Sequence, residues 1–188
     1  MESPPSPGSP SFGSASFDSP QQLLARLQKD DLFQQWNKSH PHGYLSHFFC
    51  ALDTKGVMKS PWEVGYFDQD TQKITVFTEL SGAASNGAAT KGTATKGFAV
   101  KPADDVFKTD TMTVEELDMT QIKTDVPASL ETFQQQAKEF FPHEVLGDGF
   151  LIVQTLEEVT VWNFTFIAKS LKFCNVKINA STGKVHSH

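Results

Sequence analysis

Nowhere does this sequence run apolar for the twenty or so residues that a membrane-spanning helix needs, so no span and no membrane partner are expected. Positive charge is also in short supply. Lys and Arg total 16 against 22 Asp and Glu, for a formal net charge of -6. Phosphate binding needs a basic face, so a nucleic-acid partner is not expected either. The nearest approach to a basic run is Lys91, Lys96 and Lys101, set among Gly, Ala and Thr in what reads as a solubilising spacer. Cysteine is limited to Cys50 and Cys174, both inside apolar strand patterns where a thiol behaves as a small hydrophobe. Residues 1–18 show neither the basic start nor the apolar run of a secretion signal, so the expectation is two reduced thiols in a cytoplasmic protein.

Catalytic signatures are missing as well. There is no nucleophile elbow, phosphate-binding glycine loop, HExxH or CxxC pair, and the chain reads as non-enzymatic with no cofactor. Two His-x-His pairs occur, His40/His42 and His186/His188. One flanks a proline and the other ends the chain, which suits incidental histidines better than metal ligands. Asp68-Gln69-Asp70 opens like a calcium loop but lacks the glycine and the distal glutamate, and reads as a solvated turn.

What the sequence does hold is strand patterning loaded with phenylalanine, 16 Phe against 2 Tyr. Trp162, Phe164 and Phe166 alternate with Asn163 and Thr165, the period of a half-buried β-strand. After a turn at 168–171, Cys174, Val176 and Ile178 resume the alternation. Asn179-Ala180-Ser181-Thr182-Gly183 then supplies turn chemistry, with Gly183 suited to the left-handed conformation. A fainter copy lies upstream. Trp62, Val64 and Tyr66 stand in the places of Trp162, Phe164 and Phe166, and Pro41-His42 stands in that of Pro142-His143. The expected fold class is α+β: two α-β-β-β units forming an antiparallel sheet packed against helices. Shared β-patterning is the alternative to a true duplication.

In chain order, residues 1–18 are a Ser/Pro/Gly tail too poor in apolar surface to fold alone. The first unit, 19–80, begins with Ser19-Pro20-Gln21-Gln22, an N-cap with proline in the first turn and glutamine three residues on. Asp30-Asp31 divides its helical stripe into two short helices. Residues 81–126 are a low-complexity loop and acidic connector, in which Phe98–Val100 and Met119–Ile122 are expected to add short strands. The second unit, 127–188, opens with a helix carrying Leu130, Phe133, Ala137, Phe140 and Phe141 on one stripe and stopped by Pro142. Gly147-Asp148-Gly149 reads as a turn into a strand at 150–156.

The helix at 129–141 followed by three strands ending in Asn-Val-Lys-Ile-Asn-Ala-Ser-Thr-Gly-Lys-Val resembles the PepSY domain. Val176, Ile178, Asn179, Ala180, Thr182, Gly183 and Val185 match that family's closing strand and turn, with Asn179 where Asp is usual. The resemblance implies a non-catalytic module, one often suggested to restrain peptidases, and the first unit would be a degenerate second copy. A helix wrapped by a sheet is also similar to the cystatin-like architecture, although the Gln-x-Val-x-Gly hairpin is absent. Trp62, Tyr66, Trp162 and Phe166 are the candidate lining of a ligand cleft, with burial in the core as the competing expectation. The leading function is therefore a binding module for a protein or peptide. The alternative is a small-ligand carrier or enzyme using an apolar pocket on the concave sheet face.

Overall fold

A computed structural model describes residues 19–80, 97–105 and 113–188. The chain folds as α1 (Pro20–Leu27), α2 (Asp31–Ser39), β1 (Gly43–Leu52), β2 (Glu63–Asp68), β3 (Lys73–Glu79), β4 (Phe98–Asp105), α3 (Val126–Phe140), β5 (Leu146–Leu156), β6 (Val159–Ala168), β7 (Phe173–Asn179) and β8 (Val185–Ser187). It is an α+β protein. All eight strands join one antiparallel sheet in the order β4-β3-β2-β1-β5-β6-β7-β8.

Local chemistry accounts for the helix limits. The Ser19 hydroxyl accepts from the Gln22 amide while the Gln22 side chain accepts from the Ser19 amide, a complete capping box with Pro20 following. Asp30 caps α2 by accepting from the Leu32 amide, so the expected division of the helical stripe is present. Asp125 caps α3 through the Ala128 amide, and Pro142 follows its last turn. In each strand the residues of one parity turn toward the helices. Phe48, Cys50 and Leu52, then Val64 and Tyr66, Phe77, Leu151 and Val153, Trp162, Phe164 and Phe166, and Val176 and Ile178 form one core with Leu23, Leu27 and Phe33 and with Phe133 and Ala137. That cluster draws on both halves of the chain. Both cysteines are buried in the sheet as free thiols, and burial pushes the Cys50 thiol up to about 12.

Four expectations need correction. Met119–Gln121 is a 3-10 turn, not a strand, because the Asp118 carboxylate accepts from the Thr120 amide and hydroxyl and holds the backbone in a cap. Residues 147–149 lie inside β5, where an irregularity between Leu146 and Gly149 absorbs the glycines as a bulge in the pairing with β6. The strand expected at 98–100 extends to Asp105. Lys101 therefore belongs to β4 and pairs with Glu63 of β2 at 2.5 Å, so it is no part of a spacer. Lys91, Lys96 and the tail at 1–18 lie outside the described residues.

The two sheet edges are poor templates for a further strand. β4 carries Lys101, Pro102, Asp104 and Asp105 along an exposed edge, and β8 is 3 residues long. No described helix is long and apolar enough to cross a membrane.

Candidate functional site

The four aromatics expected at a cleft do not share one. Trp62 and Phe166 are core residues, at 3% and 2% exposure. Trp162 is fully buried, and its indole N–H donates to the Thr124 hydroxyl at 2.8 Å. It forms one wall of a hollow of about 450 Å³ where the first turns of α1 and α3 meet. Tyr66 borders a different and larger space.

That space is an open groove of about 800 Å³ framed by α1, α2, the start of β1 and residues 116–119. Its sides follow from how the chain is punctuated. The break at Asp30 turns α2 away from α1, presenting Leu24 and Gln28 from one helix and Phe33, Gln34 and Asn37 from the other. Residues 114–118 close the far side because they are tied down by hydrogen bonds. The Leu117 amide donates to the Leu45 carbonyl at 2.8 Å, the Asp118 amide donates to Thr155, and the Tyr44 hydroxyl donates to the Val114 carbonyl at 2.7 Å.

Tyr66 enters from β2. Its ring is fixed by Phe33 (4.9 Å between centroids), Trp36 (5.4 Å) and Phe77 (5.9 Å), the last two edge to face. The residue is 6% exposed, yet its hydroxyl makes no hydrogen bond with any described residue and faces the groove. Burial raises its pKa, so the phenol stays neutral and is able both to donate and to accept. Among the described residues the one buried side-chain polar atom without a partner is the Thr78 hydroxyl, so the Tyr66 hydroxyl is open to solvent in the groove, and a ligand atom there would take the place of water.

The groove's charge has one sign. Among the described residues Glu116 and Asp118 line it, and no Lys, Arg or His does. The Thr120 hydroxyl, the Thr120 amide and the Gln121 side chain hold the Asp118 carboxyl below its ordinary range, so it is an anion. Glu116 is exposed at the rim, close enough to Tyr44 to raise that phenol's pKa, although burial does more.

The histidines have structural settings. The His40 ring stacks on Trp36 at 4.4 Å, His42 meets Asp70 at 3.0 Å, and His188 stacks on Phe140 at 3.8 Å. Asp68 closes its turn by accepting from Asp70 and Thr71. Among the described residues no cluster of His, Cys, Asp or Glu has the arrangement of a metal site.

Of the groove's lining, the sequence pointed to Tyr66 alone. Leu24, Gln28, Asn37, Glu116 and Met119 come from three separate segments and form no local motif; the isolated acidic connector was the one hint available. No family model matches the chain, and neither a curated protein nor a solved structure matches it.

Proposed function

We propose that the chain is a non-enzymatic binding module made of two related α-β-β-β units, and that it holds a protein or peptide segment in the groove beside Tyr66. The observation that carries this is the Tyr66 hydroxyl, locked in place by its ring contacts and left to bond something outside the described fold. Apolar side chains from Leu24, Phe33 and Met119 and side-chain amides from Gln28 and Asn37 alternate around it, a lining suited to a peptide's mixture of side chains and amide bonds. Both sheet edges are blunted, so strand addition is the less suitable mode and the groove the better one.

Register supports the duplication. Across the middle of the sheet Phe48 faces Val153, Phe49 faces Ile152 and Cys50 faces Leu151, so a two-fold axis through the Phe49–Ile152 pair exchanges β1 with β5. The same operation maps Val64, paired with Phe48 and Phe77, onto Phe164, paired with Leu151 and Val176. It also maps the end pair Gly43–Asp68 onto Leu146–Ala168, and each strand pair has one irregularity, between Leu45 and His47 in the first and between Leu146 and Gly149 in the second. Helix α2 ends at His40 before Pro41, and α3 ends at Phe141 before Pro142. Shared β-patterning does not by itself call for these register equivalences or for the paired proline stops. The resemblance to PepSY suggests a peptidase as partner, and the two unpaired thiols suit a reducing, cytoplasmic setting.

A small-ligand carrier is the second reading, favoured by the groove's volume of about 800 Å³, which is within the range of small-molecule sites. Selection of a displayed random-peptide library on the immobilised protein separates the two. Peptides should be enriched, and Asn37→Trp, which fills the groove from an exposed helix position, should abolish their binding. No enrichment, together with a thermal shift from a small-molecule panel that Asn37→Trp removes, would establish the carrier instead.

A further inference from the structure

We infer that the groove selects a basic, partly apolar peptide segment, an inference that rests on the peptide-binding reading above. Three independent features of the lining converge on this chemistry. Among the described residues the ionisable side chains of the lining are the carboxylates Glu116 and Asp118, with the tyrosines Tyr44 and Tyr66 beside them, and none is cationic. An anionic segment entering it would lose hydration and meet like charge, whereas an ammonium or guanidinium would find compensation. Glu116 is the free partner, since it makes no hydrogen bond or ion pair with a described residue, whereas Asp118 is already committed to Thr120 and Gln121.

The second feature is aromatic. Tyr44, Tyr66 and Phe33 line the same space, and a cation seated over a ring face there would be attracted by the ring quadrupole, which favours Lys and Arg over neutral side chains. The third is the Tyr66 hydroxyl, which lies on the groove, bonds no described residue and suits a backbone carbonyl or amide next to the basic side chain. Leu24, Leu45, Leu117 and Met119 leave an apolar surface for a neighbouring aliphatic residue. The arrangement therefore reads one basic side chain, one peptide group and one apolar side chain.

The test uses the full chain and fluorescence anisotropy with three sets of short labelled peptides, of Lys/Leu, Glu/Leu and Ser/Gly composition, near physiological salt. Lys/Leu peptides should bind about tenfold or more tightly than Glu/Leu peptides, a gap of the size that one well-placed charge produces. Glu116→Lys should erase that preference, and Tyr66→Phe should weaken every bound peptide by a similar factor. Because the whole chain is acidic, Glu131→Lys on the exposed side of α3 makes the same change in net charge away from the groove. It should alter the Lys/Leu affinity by less than about threefold, since screening is strong beyond a Debye length. An equal effect of Glu131→Lys and Glu116→Lys would overturn the inference, leaving only attraction to net charge. Equal binding of Lys/Leu and Glu/Leu peptides, both blocked by Asn37→Trp, would overturn the charge selection and keep the groove as the peptide site. Peptide binding of any class that Asn37→Trp leaves intact would remove the groove reading itself.

Discussion

Gly183 and Leu171 both hold positive φ at hairpin tips, at 70° and 65°, and only one of them is a glycine. Asn179 explains the first. Its side chain accepts from the amides of Ser181 and Thr182, and the Gly183 amide returns to the Asn179 carbonyl at 2.9 Å. A Cβ at Gly183 would make ordinary contact with Thr124 at 3.4 Å, so Gly183→Ala should cost roughly 1 kcal/mol from backbone strain alone. An unchanged urea midpoint would contradict that. This turn was legible because turn chemistry is local; the left-handed Leu171, 81% exposed, was not, because nothing in Lys-Ser-Leu-Lys requires it. His47 was illegible for a different reason. The bulge between Leu45 and His47 sets its ring over Gly65 of the neighbouring strand, where any larger side chain would collide with it. Burial there pushes the imidazole down to about 4, against a pull upward from Glu63. The folded pKa lies below the unfolded value near 6.5, so the unfolded chain binds the extra proton first. Stability should be full above about pH 6.5, fall as the pH drops toward 4, and level off below that. A series of urea midpoints over this window should slope for the native protein and flatten for His47→Asn.

At the scale of elements, local signals carried most of the weight. A capping box, proline stops and period-2 alternation located the helices and the strands around Trp62, Trp162 and Cys174 within a few residues of where they lie, as Ser19-Pro20 and Pro142 illustrate. Ser19→Ala should therefore cost about 1 kcal/mol and speed amide exchange in α1 more than in α3. Equal acceleration in both helices would mean that the cap serves the whole core and not its own helix. The failures share a cause, which is competition from contacts remote in sequence. Residues 147–149 look like a turn in isolation, yet pairing with β6 draws them into the sheet. Residues 119–122 look like a strand until the Asp118 carboxylate captures the following amide. The groove was hidden most completely, since α1, α2, β1, β2 and the connector each contribute only part of its lining.

Over the whole molecule, the question is whether the halves stand or fall together. Trp62 and Trp162 both belong to the shared core, at 3% and 0% exposure. Truncating either to Ala removes its transfer energy and leaves a cavity, at a cost on the order of 3–5 kcal/mol. Trp162→Ala also takes from Thr124 the indole that donates to it. Each variant should show one cooperative transition at a lower midpoint by far-UV dichroism, and two resolved transitions would mean independent domains. The arrangement of the sheet carries one more implication. Its outer edges are protected by Pro102, charge and brevity, whereas the seam between β1 and β5, which joins the two halves, carries Phe49, Phe150 and Ile152. When the seam parts, each half exposes an edge whose best complement is the other half of any chain, its own or a neighbour's. Reciprocal exchange of halves between two molecules would then satisfy both edges at once, in a closed dimer that repeats the β1–β5 pairing and leaves no such edge over.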